Sequence, residues 1–224
     1  MSDLTANPAA LVLGAVVGAG AGLYAHRAAG RAVASSTSET GTNNDASYIP
    51  PTYALTSIGA TAGLLVGARF GTTAALPAYL FLVAIAPALG VIDAVTRRLP
   101  NFIVLPSYPL AALLLGFAAW RAGNLGPFWR ASLAGATTYA LLLVIALAAP
   151  PRAFGWADVK LSGLVGGFLG FLGWSTLLCG MTIAFVSAAV YVVLRAVARL
   201  RQRGQALPLG PALLSGALLA VILS

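Results

Sequence analysis

Acidic residues are scarce in this chain. Among 224 residues there are five: Asp3, Glu39, Asp45, Asp93 and Asp158. Lysine, histidine and cysteine occur once each, as Lys160, His26 and Cys179. Charged residues make up only 8% of the sequence, against about 25% in a soluble domain. A soluble fold of this length needs a polar skin around its core, and these residues cannot supply one. One cysteine excludes an internal disulfide framework and a cysteine-rich zinc site within one chain. The start, Met1-Ser2-Asp3, puts no basic stretch ahead of the first apolar run. That run is therefore expected to stay as a span and not to be cleaved as a signal peptide.

What is abundant is apolar residues, at 59%. The apolar stretches are the length of a bilayer crossing. They predict an all-α, polytopic membrane protein with about eight transmembrane helices. The expected spans are Pro8–Tyr24, Tyr53–Ala68, Thr73–Ile92, Phe102–Trp120, Phe128–Ala149, Leu161–Gly173, Trp174–Leu194 and Leu207–Leu223. The sixth is short, which suits a tilted or partly re-entrant helix. The net charge of +8 comes from arginines lying between these stretches. With the N-terminus outside, the inner loops hold Arg27, Arg31, Arg97, Arg98, Arg152, Lys160, Arg195, Arg199, Arg201 and Arg203. The outer loops hold only Arg69, Arg121 and Arg130. That bias fits the positive-inside rule. No basic patch is interleaved with aromatics, so nucleic acid is not an expected partner; membrane lipid is.

One domain is expected over residues 1–224, interrupted by a cytoplasmic loop at 28–50. Within it Ser35–Ser47 reads SSTSETGTNNDAS, which buries nothing and is expected to be disordered. Gly14, Gly18 and Gly22 fall four apart on one helix face, and Gly163, Gly166, Gly167, Gly170 and Gly173 crowd another span. Small residues let helices approach closely in lipid, and packing is the expected role of both groups.

Asp3, Glu39 and Asp45 belong to the tail and the polar loop. Asp93 and Asp158 do not. Asp93 follows LFLVAIAPALGVI at the cytoplasmic end of the third span. Asp158 precedes LSGLVGGFLGFLGW at the cytoplasmic start of the sixth. Ionisable groups at membrane depth are costly and point to function. Two carboxylates at matched depth suit an aspartic-protease dyad. One, ionised, takes a proton from a shared water, while the other, protonated, hydrogen-bonds the scissile carbonyl. Such a pair titrates as a unit. Structural roles also fit: Asp93 can pair with Arg97 one turn on, and Asp158 can complement the dipole of the helix it opens. Composition alone does not separate a protease from a proton-coupled carrier.

The flanking residues carry a resemblance. Asp93-Ala-Val-Thr-Arg-Arg-Leu-Pro100-Asn101 resembles the first motif of the prepilin peptidases, an aspartate at a span end followed by Leu/Ile-Pro-Asn/Asp. Phe154-Gly155-Trp156-Ala157-Asp158-Val159-Lys160-Leu161 resembles the second motif, the GxGD-x-K-L of the GxGD-type intramembrane aspartic proteases. Leu207-Pro208-Leu209-Gly210-Pro211 resembles the P-x-G-P that opens the last span. The three occur in order across residues 90–224, while the region before residue 80 matches poorly. Ala157 stands where the second motif has glycine, a residue that permits unusual backbone angles. The paired CxxC insert of the larger bifunctional members is absent, with the Ser/Thr-rich loop in its place.

The resemblance implies a short, peptidase-only enzyme without N-methyltransferase activity, needing no metal or cofactor. It would sit in the cytoplasmic (inner) membrane as a multi-pass protein. It would remove the leader of a type IV prepilin or pseudopilin at the cytoplasmic face, with Asp93 and Asp158 catalytic. Supporting positions are Pro100, Asn101, Gly155, Ala157, Lys160, Pro208, Gly210 and Pro211. Pro100 is expected to stop or reset a helix, Gly155 to free the backbone entering the sixth span, and Lys160 to lie near the dyad or to snorkel. The rival readings are a transporter using the same aspartates as a proton relay, and an inactive homologue serving pilus or secretion assembly.

Overall fold

The computed structural model describes residues 7–40, 51–96, 101–148, 155–197 and 209–224. Among them the chain is entirely helical. Its elements are α1 (Pro8–Thr40), α2 (Thr52–Phe70), α3 (Leu76–Thr96), α4 (Asn101–Arg121), α5 (Gly126–Ala148), α6 (Trp156–Leu172), α7 (Trp174–Val197) and α8 (Gly210–Leu223). Each expected span maps onto one helix, in order. Five helices, α1, α3, α4, α5 and α7, are long and apolar enough to cross a membrane. α6 and α8 are shorter, at 17 and 14 residues, and α2 is diluted by threonine, serine and glycine.

Several boundaries shift by a few residues, and two differ most from expectation. α1 continues past Tyr24 to Thr40, into the segment read as a loop; the rest of that segment, 41–50, lies outside the described residues. Past Tyr24 the helix keeps a buried face through Ala25 and Ala29, between which His26 and Arg27 interrupt the apolar run. α6 starts at Trp156, five residues before the apolar run, so Asp158 lies within its first turn.

The chain forms two compact units. The first comprises Met1–Thr96 and Leu114–Gly123; the second comprises Arg97–Leu113 and Asn124–Ser224. α4 therefore gives its first half to the second unit and its end to the first.

In the first unit, α1 and α2 meet through bare backbone. Ala10 faces Gly67, Gly14 faces Gly63, Gly18 faces Gly59 and Gly22 faces Leu55. One number climbs by four as the other falls by four, so the helices run antiparallel in strict register. A Cβ on Gly14, Gly18, Gly59 or Gly63 would overlap the main-chain carbonyl opposite. Contact this close is how helices gain packing energy in lipid, where apolar burial alone offers little. The expected stripe at 14, 18 and 22 thus has a matching stripe at 59, 63 and 67. α3 joins the pair through a buried cluster of Ala25, Ala29, Leu55, Ala88 and Val91. The turn between α2 and α3 passes through Gly71 at φ 52°, a conformation suited to glycine. Beyond it, the fully buried Tyr79 stacks on Phe70, with ring centroids 4.2 Å apart.

The second unit is arranged around α6, which packs against α5, α7 and α8. Eleven of its 17 residues are buried, on all sides of the helix. α5 runs antiparallel to it, with Gly135 against Gly163 and Gly167, and Gly170 against Ala134. Polar bonds reinforce the contact. The Thr138 hydroxyl donates to the Ser162 carbonyl at 3.1 Å, and the Ser162 hydroxyl donates back to the Thr138 carbonyl at 3.4 Å. Arg130 donates from Nε to the Gly170 carbonyl at 2.7 Å and from Nη2 to the Phe171 carbonyl at 2.6 Å. These carbonyls belong to the last turn of α6, which has no further helix to satisfy it. A cation there also matches the helix dipole. α7 and α8 meet where Gly216 lies against the Gly180 carbonyl and Ala184.

Candidate active site

α3 carries Asp93 three residues before its end, following buried Val91 and Ile92. The Asp93 side chain is itself buried, with 3% of its surface exposed. It belongs to the first unit. Asp158 belongs to the second and has the same 3% exposure. It is the third residue of α6, and its N–H bonds the Gly155 carbonyl at 3.1 Å. Side chains on a helix lean toward its N-terminus, and the Asp158 carboxylate accordingly lies over Gly155. A Cβ at residue 155 would come within 2.9 Å of Asp158 Oδ2.

That contact changes the expected role of Gly155. Its angles, φ −86° and ψ 130°, are open to any residue. What the glycine provides is room beside the carboxylate, not backbone freedom. Ala157, at the second helical position, has ordinary helical geometry, so the motif's missing glycine costs no backbone strain there.

The first half of α4 meets the first turn of α6 within the second unit. Asn101 opens α4, and its Oδ1 accepts a hydrogen bond from Lys160 Nζ at 2.9 Å. Lys160 is thereby tied to the residue that ends the first sequence motif. The Tyr108 hydroxyl donates to the main-chain carbonyl of the same Lys160. It approaches over Gly163, where a Cβ would collide with it. Nothing in the sequence motifs points to Tyr108. No local spacing does so either, because its partner lies on α6, 52 residues further on.

Gly210 is the first residue of α8 and is buried, and Pro211 follows it at a position where proline's missing N–H costs nothing. Pro100 and Pro208 lie outside the described residues, as do Arg97, Arg98, Arg152, Phe154 and Leu207. Among the described residues, no three of His, Cys, Asp and Glu cluster to hold a metal ion. The chemistry on offer is thus that of carboxylates at helix ends, a lysine held by an amide, and tightly packed small residues.

Five long apolar helices and the buried aspartates mark a multi-pass membrane protein with ionisable groups held among its helices. The model of the type IV leader peptidase family matches residues 79–193, just over half of the chain. The chain belongs to the type IV leader peptidase family, whose members process prepilin-type substrates. The matched stretch runs from α3 into α7 and contains Asp93, Asn101, Tyr108, Gly155, Asp158 and Lys160. No curated protein and no solved structure matches the chain.

Proposed function

We propose that this peptidase is an aspartic endopeptidase whose dyad is Asp93 and Asp158. The observation that carries the reading is their shared burial, at 3% exposure each, in a chain whose other three acids lie at positions 3, 39 and 45. Ionisable groups held among apolar helices are costly to keep and mark functional positions. Catalysis by a carboxylate pair is a reason to retain both.

In the proposed reaction one carboxylate is ionised and takes a proton from a water. The resulting oxygen attacks the scissile carbonyl, and the protonated partner donates a hydrogen bond to the carbonyl oxygen. The tetrahedral intermediate then collapses, a carboxyl proton passes to the leaving nitrogen, and the peptide bond breaks. The substrate is a type IV prepilin or pseudopilin, cut after its leader at the cytoplasmic face of the inner membrane. The substrate's apolar helix is bound against small-residue helix faces. In this reading all eight helices belong to one membrane-embedded peptidase with its N-terminus outside. Lys160, held by Asn101, supports the second aspartate's helix, and Gly155 leaves room for the carboxylate.

The test is co-expression of the full chain with a tagged prepilin from the same genome, reading leader removal by gel shift and the new N-terminus by mass. Cleavage at one defined bond, with an unmethylated product, is expected. An intact prepilin beside well-folded, membrane-inserted protein would instead favour an inactive homologue or a proton-coupled carrier.

A further inference from the structure

α6 begins with residues whose N–H groups have no intrahelical acceptor, so its first turn depends on contacts from outside the helix. Asp158 sits in that turn. Two residues later Lys160 is gripped twice from α4. Asn101 holds the far end of its side chain at 2.9 Å. Tyr108 holds its main-chain carbonyl. The Tyr108 hydroxyl gets there because Gly163 carries no side chain to meet it. A tyrosine that merely marked the membrane interface would turn its hydroxyl to water. This one spends it on the backbone of another helix.

From this geometry we propose that Tyr108 is a positioning residue of the peptidase: with Asn101 it clamps α6 at Lys160, just past its first turn, and so fixes the direction of the Asp158 side chain. The inference rests on the dyad reading above. The lysine side chain alone is a flexible anchor, because four methylenes separate its ammonium from the backbone. The tyrosine bond is made to the backbone itself, so it restrains rotation of the helix. A carboxylate stands several ångströms off the helix axis, so a small rotation of α6 displaces it substantially. Misplacing a reacting group by about 1 Å can cost on the order of 100-fold in rate. Losing one of two restraints is expected to cost less than that.

The test uses the full chain in lipid nanodiscs with a prepilin substrate, comparing wild type with Tyr108→Phe. The ring remains and only the hydroxyl is lost. We expect kcat to fall roughly 10-fold with KM held within about 2-fold, the pattern of a lost transition-state alignment. The melting temperature is expected to be unchanged. Hydrogen exchange of the amides at 158–164 is expected to quicken. Wild-type kcat in Tyr108→Phe would overturn the proposal, as would a fall in kcat matched by a fall in folded protein. If wild type cleaves no prepilin, the dyad reading fails by itself. Exchange at 158–164 then decides the clamp, with faster exchange in Tyr108→Phe supporting it and equal exchange removing it.

Discussion

In the first unit, α1 and α2 approach at their glycines, main chain against main chain. In the second, α5 and α6 also approach over glycines, but Thr138, Ser162 and Arg130 bind across the contact. Both arrangements answer the same difficulty, since lipid gives two apolar helices little reason to associate. They differ in what they fix. Glycine contact sets a distance and tolerates nothing inserted. Hydrogen bonds set a rotation as well, because each donor must find one acceptor. The helix whose rotation is fixed this way carries Asp158 near its start. The family match begins at residue 79 and so leaves out all of the glycine-packed α1–α2 pair.

The comparison can be broken most severely at the glycine contact. Gly18→Leu would drive a side chain into the main chain at Gly59. It should cost about 3 kcal/mol or more, beyond ordinary overpacking, because backbone cannot step aside as a side chain can. Gly20 has nothing within 4 Å of a built Cβ, so Gly20→Leu should stay within about 0.5 kcal/mol of wild type. Thermal unfolding in detergent reads both, and equal melting temperatures for the two variants would refute the register. Next in size is Arg130→Met, which keeps the chain length but strips the donors from the Gly170 and Phe171 carbonyls. A loss of about 1–3 kcal/mol is expected, with kcat per folded molecule unchanged. A drop in kcat at full folding would mean that this end of α6 has a part in the chemistry. The smallest effect concerns the hydroxyl pair. Thr138→Val and Ser162→Ala each remove one donor to the main-chain carbonyl opposite and should each cost about 0.6 kcal/mol, typical for such bonds in membranes. Wild-type melting temperatures in both variants would reduce the pair to passive neighbours.

Much of this organisation was legible in the residues. The apolar runs gave the helices in order, and the four-residue spacing of Gly14, Gly18 and Gly22 gave one side of the α1–α2 contact. The other side, Gly59, Gly63 and Gly67, has the same spacing but sits among serine, threonine and alanine, where a small residue stands out less. Hydropathy set the start of α6 too late, because Asp158 and Lys160 interrupt the apolar pattern that marks a span although helical geometry admits both. It also ended α1 too early, since His26, Arg27 and Arg31 break the apolar run while Ala25 and Ala29 keep one face of the helix buried. Tyr108 was out of reach for a different reason. Its partner lies 52 residues away, and which faces of α4 and α6 meet is a matter of tertiary packing that no local spacing encodes. The close contact at Gly155 was equally out of reach, because only the folded chain shows the Asp158 carboxylate beside it.

The central claim is that Asp93 and Asp158 act together. Its most direct test is the initial rate of prepilin cleavage by purified protein in nanodiscs, for wild type, Asp93→Asn, Asp158→Asn and the double variant. Residues that act as one unit are strongly non-additive when removed. Each single variant should lose at least about 1,000-fold, in line with the loss of an essential acid or base, and the double variant should be no slower than either. A single variant that cleaves at near the wild-type rate while folded in the membrane would contradict the dyad.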